Sequence, residues 1–130
     1  MSASRPFPSL NFMPTLCLHT LLEYHGCDPG VIKLSAGVRR ILMEAVELGR
    51  GTIVTDVFHN FSPYGVSGVV VIAQSHVTVH TWPEHGYAAV DIFSCSERLD
   101  RAAMRKFLKE SFGAKEVRQK TVRRGEVLAG

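Results

Sequence analysis

The chain is predicted to be an α+β domain, a two-layer sandwich in which two helices cover one face of an antiparallel sheet, in the order βαββββαβ. Three observations predict it. Short β-branched runs follow one another through the middle of the chain with only turn residues between them. One stretch before them and one after carry apolar residues at helical spacing. The length of 130 residues, 45% hydrophobic and 21% charged, suits one globular domain with one core.

Leu16 to Tyr24 is apolar and reads as the first strand, broken by Gly26, Asp28, Pro29 and Gly30. From Val31 to Leu48 the apolar residues Val31, Leu34, Val38, Ile41, Leu42, Ala45 and Leu48 share one helix face. Lys33, Arg39, Arg40, Glu44 and Glu47 fall largely off it, and Gly49 and Gly51 supply the stop. Thr52 to His59 is the second strand, and Ser62-Pro63-Tyr64-Gly65 is a turn. Val66 to Ala73 is almost wholly apolar, as a central strand requires. His76 to Trp82 alternates, with His76, Thr78 and His80 on one face and Val77 and Val79 on the other. Pro83 ends it, Glu84-His85-Gly86 turns the chain, and Tyr87 to Ser94 is the fifth strand. Asp100 can cap a second helix with Ala103, Phe107 and Leu108 inward, Gly113 ends it, and residues 115–124 form the last strand.

The net charge of +3 and pI near 8.9 are too mild to argue for nucleic acid. Lys115, Arg118, Lys120, Arg123 and Arg124 read as the solvated face of the last strand. Three cysteines, Cys17, Cys27 and Cys95, lack CxxC spacing, so no disulfide framework or zinc site is implied, and a reducing cytoplasm fits. Residues 1–14 read as a loose leader without a signal peptide's apolar core, and residues 15–130 as the single domain. No apolar run approaches a membrane span.

Reactive side chains crowd the middle of the chain: Ser67, Ser75, His76, His80, Glu84, His85, Asp91 and Cys95. A polar outer sheet face is the plain reading of any one of them. As a set they admit three chemistries. A Ser-His-acid hydrolase would use Ser75, His80 and Glu84 or Asp91, but no G-x-S-x-G elbow is present. A metal site could start from His76 and His80, with no obvious third ligand. In the third, Ser75 attacks its own backbone, from the end of an apolar strand that runs into Gln74-Ser75-His76.

The run TIVTDVFHNFSPYGVSGVVVIAQSHVTVHTWPEHGYAAVDIFSC, Thr52 to Cys95, closely resembles the core of prokaryotic S-adenosylmethionine decarboxylases, and a weaker likeness extends from about Leu16 to Gly125. SHVTVHTWPEHGYAAVDIFSC is its most specific segment. The resemblance implies a proenzyme that cleaves itself between Gln74 and Ser75 by serinolysis, with no metal. Ser75 would become a pyruvoyl group, the Schiff-base-forming electron sink of a decarboxylase serving spermidine synthesis. It further implies that Ser67 and His80 serve processing, that Cys95 is the proton donor in turnover, and that Phe61 and Glu84 bind the adenine and ribose of S-adenosylmethionine. His76 could instead orient the cleavage point, and Trp82 reads as packing. The expected assembly is a homodimer, an αββα sandwich of cleaved protomers.

Two departures from the family pattern stand out. Gln74 replaces the usual Glu before the processed serine, and Cys17-Leu18-His19 replaces a Gly-basic-His run, keeping only the histidine. Related pyruvoyl decarboxylases act on arginine or ornithine, and a partner subunit that no longer processes is a third reading.

Overall fold

A computed structural model describes residues 15–126. Its elements are β1 (Thr15–His25), α1 (Pro29–Ile32), α2 (Ser35–Leu48), β2 (Ile53–Asn60), β3 (Val66–Ile72), β4 (Ser75–Trp82), a 3₁₀ turn (Pro83–His85), β5 (Tyr87–Ser94), α3 (Arg101–Ser111) and β6 (Glu116–Glu126). The strands form one six-stranded sheet in the order β2-β3-β4-β5-β1-β6, every neighbour antiparallel. The expected α+β architecture and strand order hold. The leader at residues 1–14 lies outside the described residues.

Alternation along the strands decides which face is which. Leu22, Tyr24, Val70, Ile72, Val77, Val79, Ala88, Val90 and Ile92 are buried beneath α2 and α3 together with Ile32, Val38, Leu42, Val46, Met104, Leu108 and Phe112. The opposite face carries Val57, Val71, His76, His80, Trp82, Asp91, Phe93 and Val122, and no element of the described chain covers it. Val57, Val71, Trp82 and Val122 are exposed there. β6 is one of the two edge strands, exposed along nearly its whole length and rich in Arg and Lys. Charge of this kind discourages pairing with another sheet edge.

The single helix expected from Val31 to Leu48 is interrupted. Leu34 is extended, with φ −125° and ψ 145°, and separates α1 from α2. The carbonyls that would have continued the helix are taken elsewhere: Thr81 Oγ1 donates to Ile32 O at 2.7 Å and Gly65 N to Lys33 O at 3.0 Å. Asn60 Oδ1 accepts from Ser35 N at 2.6 Å at the start of α2. Leu34 and Leu48, expected inside, are about half exposed. In α3 the buried residues are Met104 and Leu108, while Ala103 and Phe107 are only partly covered. Gly49 meets Met104, whose Cγ would lie 2.5 Å from a Cβ at that position. This glycine is needed for close packing, and the left-handed residue after α2 is Arg50, with φ 68°.

Candidate active site

Ile72 pairs with Ser75 as the last rung of the β3–β4 hairpin, so Ala73 and Gln74 form a two-residue turn. Ser75 therefore opens β4 rather than closing β3. Gln74 has φ 64°, uncommon for a residue with a side chain and a store of local strain. Two hydrogen bonds hold the turn: Ala73 N donates to Thr52 O at 2.9 Å, and Cys95 N to Gln74 O at 3.2 Å. Ser75 shares its face with Val77 and Val79 and is buried. Its Oγ donates to Ser94 Oγ at 2.6 Å, which accepts from Ser96 N at 3.0 Å. The adjacent residues Ser94 and Cys95 thus hold both the hydroxyl of Ser75 and the carbonyl before it. A cleft of about 210 Å³ opens here, lined in part by Arg50, Gln74, Ser75, Ser96 and Arg98.

Ser94 was not singled out from the sequence. A signal was present: in an alternating strand it falls in phase with the buried Val90 and Ile92, where a hydroxyl needs a partner.

Ser67 and His80 face each other across β3 and β4, with Ser67 Oγ 2.8 Å from His80 Nδ1. The direction of that hydrogen bond follows the imidazole tautomer. The expectation that His80 lies close to Ser75 does not hold within one chain. His80 is five positions along the strand from Ser75, about 16 Å at ~3.3 Å per residue, and an odd offset sets them on opposite faces.

Phe61 and Glu84 belong to the Ser67–His80 end of the sheet. Phe61 follows β2, donates its N–H to Gly65 O at 2.8 Å, and meets the His59 ring edge-on at a centroid distance of 4.6 Å. It is 50% exposed. Glu84 is exposed in the 3₁₀ turn that follows Trp82. The anticipated site residues thus fall into two groups: Gln74, Ser75 and Cys95 at one end of the central hairpin, and Phe61, Ser67, His80 and Glu84 at the other.

Cys95 follows β5 and is bonded to Cys17, with the Cα atoms 4.0 Å apart. The absence of a disulfide expected from three unspaced cysteines is corrected here: β1–β5 pairing brings together two residues 78 apart in sequence. In this state Cys95 has no thiol proton to give. Cys27 is free and buried; burial pushes its thiol up to about 11. On the uncovered face His76 stacks on Phe93 at 5.3 Å, and His19 Nε2 lies 3.4 Å from Asp91 Oδ2. The Tyr87 hydroxyl donates to Glu23, and burial together with that carboxylate raises it to about 12. Among the described residues, no group of three or more His, Cys, Asp or Glu is placed to hold a metal ion. No helix among them is long and apolar enough to cross a membrane.

Comparison with known proteins adds to this geometry. A family profile described as S-adenosylmethionine decarboxylase matches residues 18–125. The S-adenosylmethionine decarboxylase proenzyme of Acidithiobacillus ferrooxidans is 42% identical over 115 residues, covering 88% of this chain and 86% of that protein. The proenzyme of Pyrococcus furiosus is 42% identical over 113 residues, covering 87% and 81% respectively. The crystal structure of the adenosylmethionine decarboxylase from Aquifex aeolicus superposes with a TM-score of 0.81 at 31% identity, covering 89% of this chain and 96% of that one.

Proposed function

The chain belongs to the S-adenosylmethionine decarboxylase family, a family of carboxy-lyases, and we propose that it matures by cutting itself between Gln74 and Ser75 and then decarboxylates S-adenosylmethionine for spermidine synthesis. The observation that carries this reading is the double grip on the Gln74–Ser75 joint, with Ser75 Oγ on Ser94 Oγ and Gln74 O on Cys95 N–H.

In the proposed maturation, Ser75 Oγ attacks the Gln74 carbonyl carbon. The carbonyl oxygen gains charge as it does so, and the Cys95 N–H that already points at it stabilises that charge. The C–N bond breaks and an ester replaces the amide. A base then removes the Ser75 α-proton, the Gln74 carboxylate leaves by β-elimination, and water releases ammonia from the dehydroalanine. The positive φ at Gln74 is a conformation that severing the joint, at the elimination step, would release.

The residues around Ser75 fit a pyruvoyl group: it is made in place from a side chain already at a cleft, and that cleft is polar. When present it supplies the electron sink for loss of CO₂. Reduced Cys95, on the strand end beside Ser75, would deliver the proton that replaces the carboxylate. Phe61 would stack on adenine and Glu84 would accept from the ribose hydroxyls.

The two ends of one sheet do not meet, which supports a two-fold dimer closed through the uncovered faces. Exposed Val57, Val71, Trp82 and Val122 favour such burial. In that αββα arrangement the Ser75–Cys95 end of one protomer's hairpin would lie against the other end of its partner's, and because Ser75 Oγ points to the helix side in the uncut chain, the joint must turn at the strand end for each site to be completed in trans.

The test is direct. Purified chain should resolve under reducing, denaturing conditions into fragments 1–74 and 75–130, the second blocked by a pyruvoyl group, and should release CO₂ from S-adenosylmethionine but not from arginine or ornithine. Ser75→Ala should leave the chain whole. A wild-type chain still intact after prolonged incubation would sink the maturation reading. CO₂ released from arginine or ornithine alone would replace the substrate.

A further inference from the structure

We infer that Cys17 and Cys95 form a reversible thiol-oxidation site through which a low-molecular-weight disulfide switches the enzyme off, an inference that rests on the role proposed for Cys95. The register sets the pair: Leu18 lies opposite Ser94 and His19 opposite Phe93, so one further step brings Cys17 beside Cys95. The two are bonded in this structure. Cys95 is exposed at the strand end, whereas the third cysteine, Cys27, is buried and takes no part.

The bond is reachable. A cleft of about 340 Å³ lies against it, lined among others by Cys17, Cys95, Glu97, Arg101 and Arg123. Arg101 Nη2 donates to Ser94 O at 3.3 Å, while its Nε is buried without a hydrogen-bond partner among the described residues. The Arg101 guanidinium beside the bond suits a carboxylate of a small anionic thiol or disulfide of the glutathione kind.

The exchange balances. One protein thiolate attacks the small disulfide RSSR, breaking its S–S bond, forming a mixed disulfide and expelling RS⁻. The second protein thiolate attacks the protein sulfur of that mixed disulfide and expels the other RS⁻. The protein loses two electrons and two protons, and both are recovered in two RSH. Reduction runs the same steps backwards. While the bond stands, Cys95 has no proton to transfer to the reacting carbon.

Cleavage at Gln74–Ser75 falls between the two cysteines, so the oxidised form would hold fragments 1–74 and 75–130 together covalently.

The experiment places matured wild-type and Cys17→Ser enzyme in buffers of reduced and oxidised glutathione at graded ratios. CO₂ release from S-adenosylmethionine is read beside fragment linkage on gels run without reductant. Wild type should lose activity as its fragments become linked, and dithiothreitol should restore both. Cys17→Ser should never link, and should need an oxidised-to-reduced ratio about tenfold or more higher to lose activity, since only the slower mixed disulfide is open to it. Inactivation of both proteins at the same ratio would overturn the proposal, as would wild-type fragments that stay separable in the most oxidising buffer, or linked fragments that keep full activity. If fully reduced wild type cleaves but releases no CO₂, the decarboxylase reading fails, while linkage still judges the oxidation site.

Discussion

At the scale of single residues, Ser94 is where the structure changes the account most. Its Oγ accepts the hydroxyl proton of Ser75 at 2.6 Å in a buried setting, so under the proposed maturation it would position the attacking hydroxyl. Ser94→Ala should slow cleavage by about 5–30-fold, the cost of losing a buried hydrogen bond of ~1–2 kcal/mol. Ser94→Thr, which keeps the hydroxyl, should cleave at close to the wild-type rate, and a fold defect common to both variants would argue against positioning. Cys95 and His80 separate by step. Cys95→Ala should still cleave but lose about 10²–10⁴-fold in CO₂ release, whereas His80→Ala should stall at the ester, where hydroxylamine splits the chain. Cys27 provides a pH marker. Burial raises its thiol to about 11, so the stability it contributes is complete below the unfolded thiol's value near 9 and is lost as pH climbs through about 11. In the native protein Cys27 should resist iodoacetamide at pH 8 and react once the chain is unfolded. Labelling of Cys27 in native protein at that pH would contradict its burial.

At the scale of elements, α2 and α3 approach closely only because Gly49 lacks a side chain. Its Cβ would sit 2.5 Å from Met104 Cγ and 2.6 Å from the sulfur. Gly49→Ala should cost about 1–3 kcal/mol in denaturant unfolding, the usual range for overpacking a core. Met104→Ala should cost less in the Gly49→Ala background than in the wild type, a coupling that a double-mutant cycle reads. Gly68 plays the same part in the sheet: the Phe58 ring lies where its Cβ would be. The break at Leu34 has a different origin. Apolar spacing continues through it, yet Thr81 and Gly65 capture the carbonyls that a continuous helix would have used. Arg39 and Asp56 fasten α2 to β2, with Arg39 Nε 2.7 Å from Asp56 Oδ2. The guanidinium holds the Asp56 carboxyl below its ordinary range, so this contact weakens as pH falls through that lowered value.

At the scale of the whole molecule, one face of the sheet is roofed by helices and the other is bare. Light scattering at micromolar concentration should give a dimer, and Val71→Glu should shift it towards monomer by placing a charge in the closed interface. A sharper test exploits the separation of Ser75 from His80. Neither Ser75→Ala nor His80→Ala should mature alone, but co-expressed chains should yield cleaved His80→Ala protomers, served by the partner's His80. Failure of that complementation in a confirmed mixed dimer would return His80 to the same chain as the Ser75 it serves.

Pattern alone determined the strands, their order along the chain and the segment that marks the family. Alternation and helical spacing are set by local geometry, so Val77, Val79 and the histidines between them announce their faces without any fold. SHVTVHTWPEHGYAAVDIFSC was enough to indicate the family that residues 18–125 match. Tertiary structure decided what depends on neighbours distant in sequence. It joined Cys17 to Cys95 through the β1–β5 register and brought Ser94 under Ser75 through β4–β5 pairing. It also broke the first helix at Leu34 and set His80 at the far end of the hairpin from the serine it was expected to serve. The physical reason is common to all four. Spacing along a chain fixes periodicity, but which hydroxyl, carbonyl or sulfur finds a partner depends on strand register and on backbone groups competing for the same hydrogen bonds.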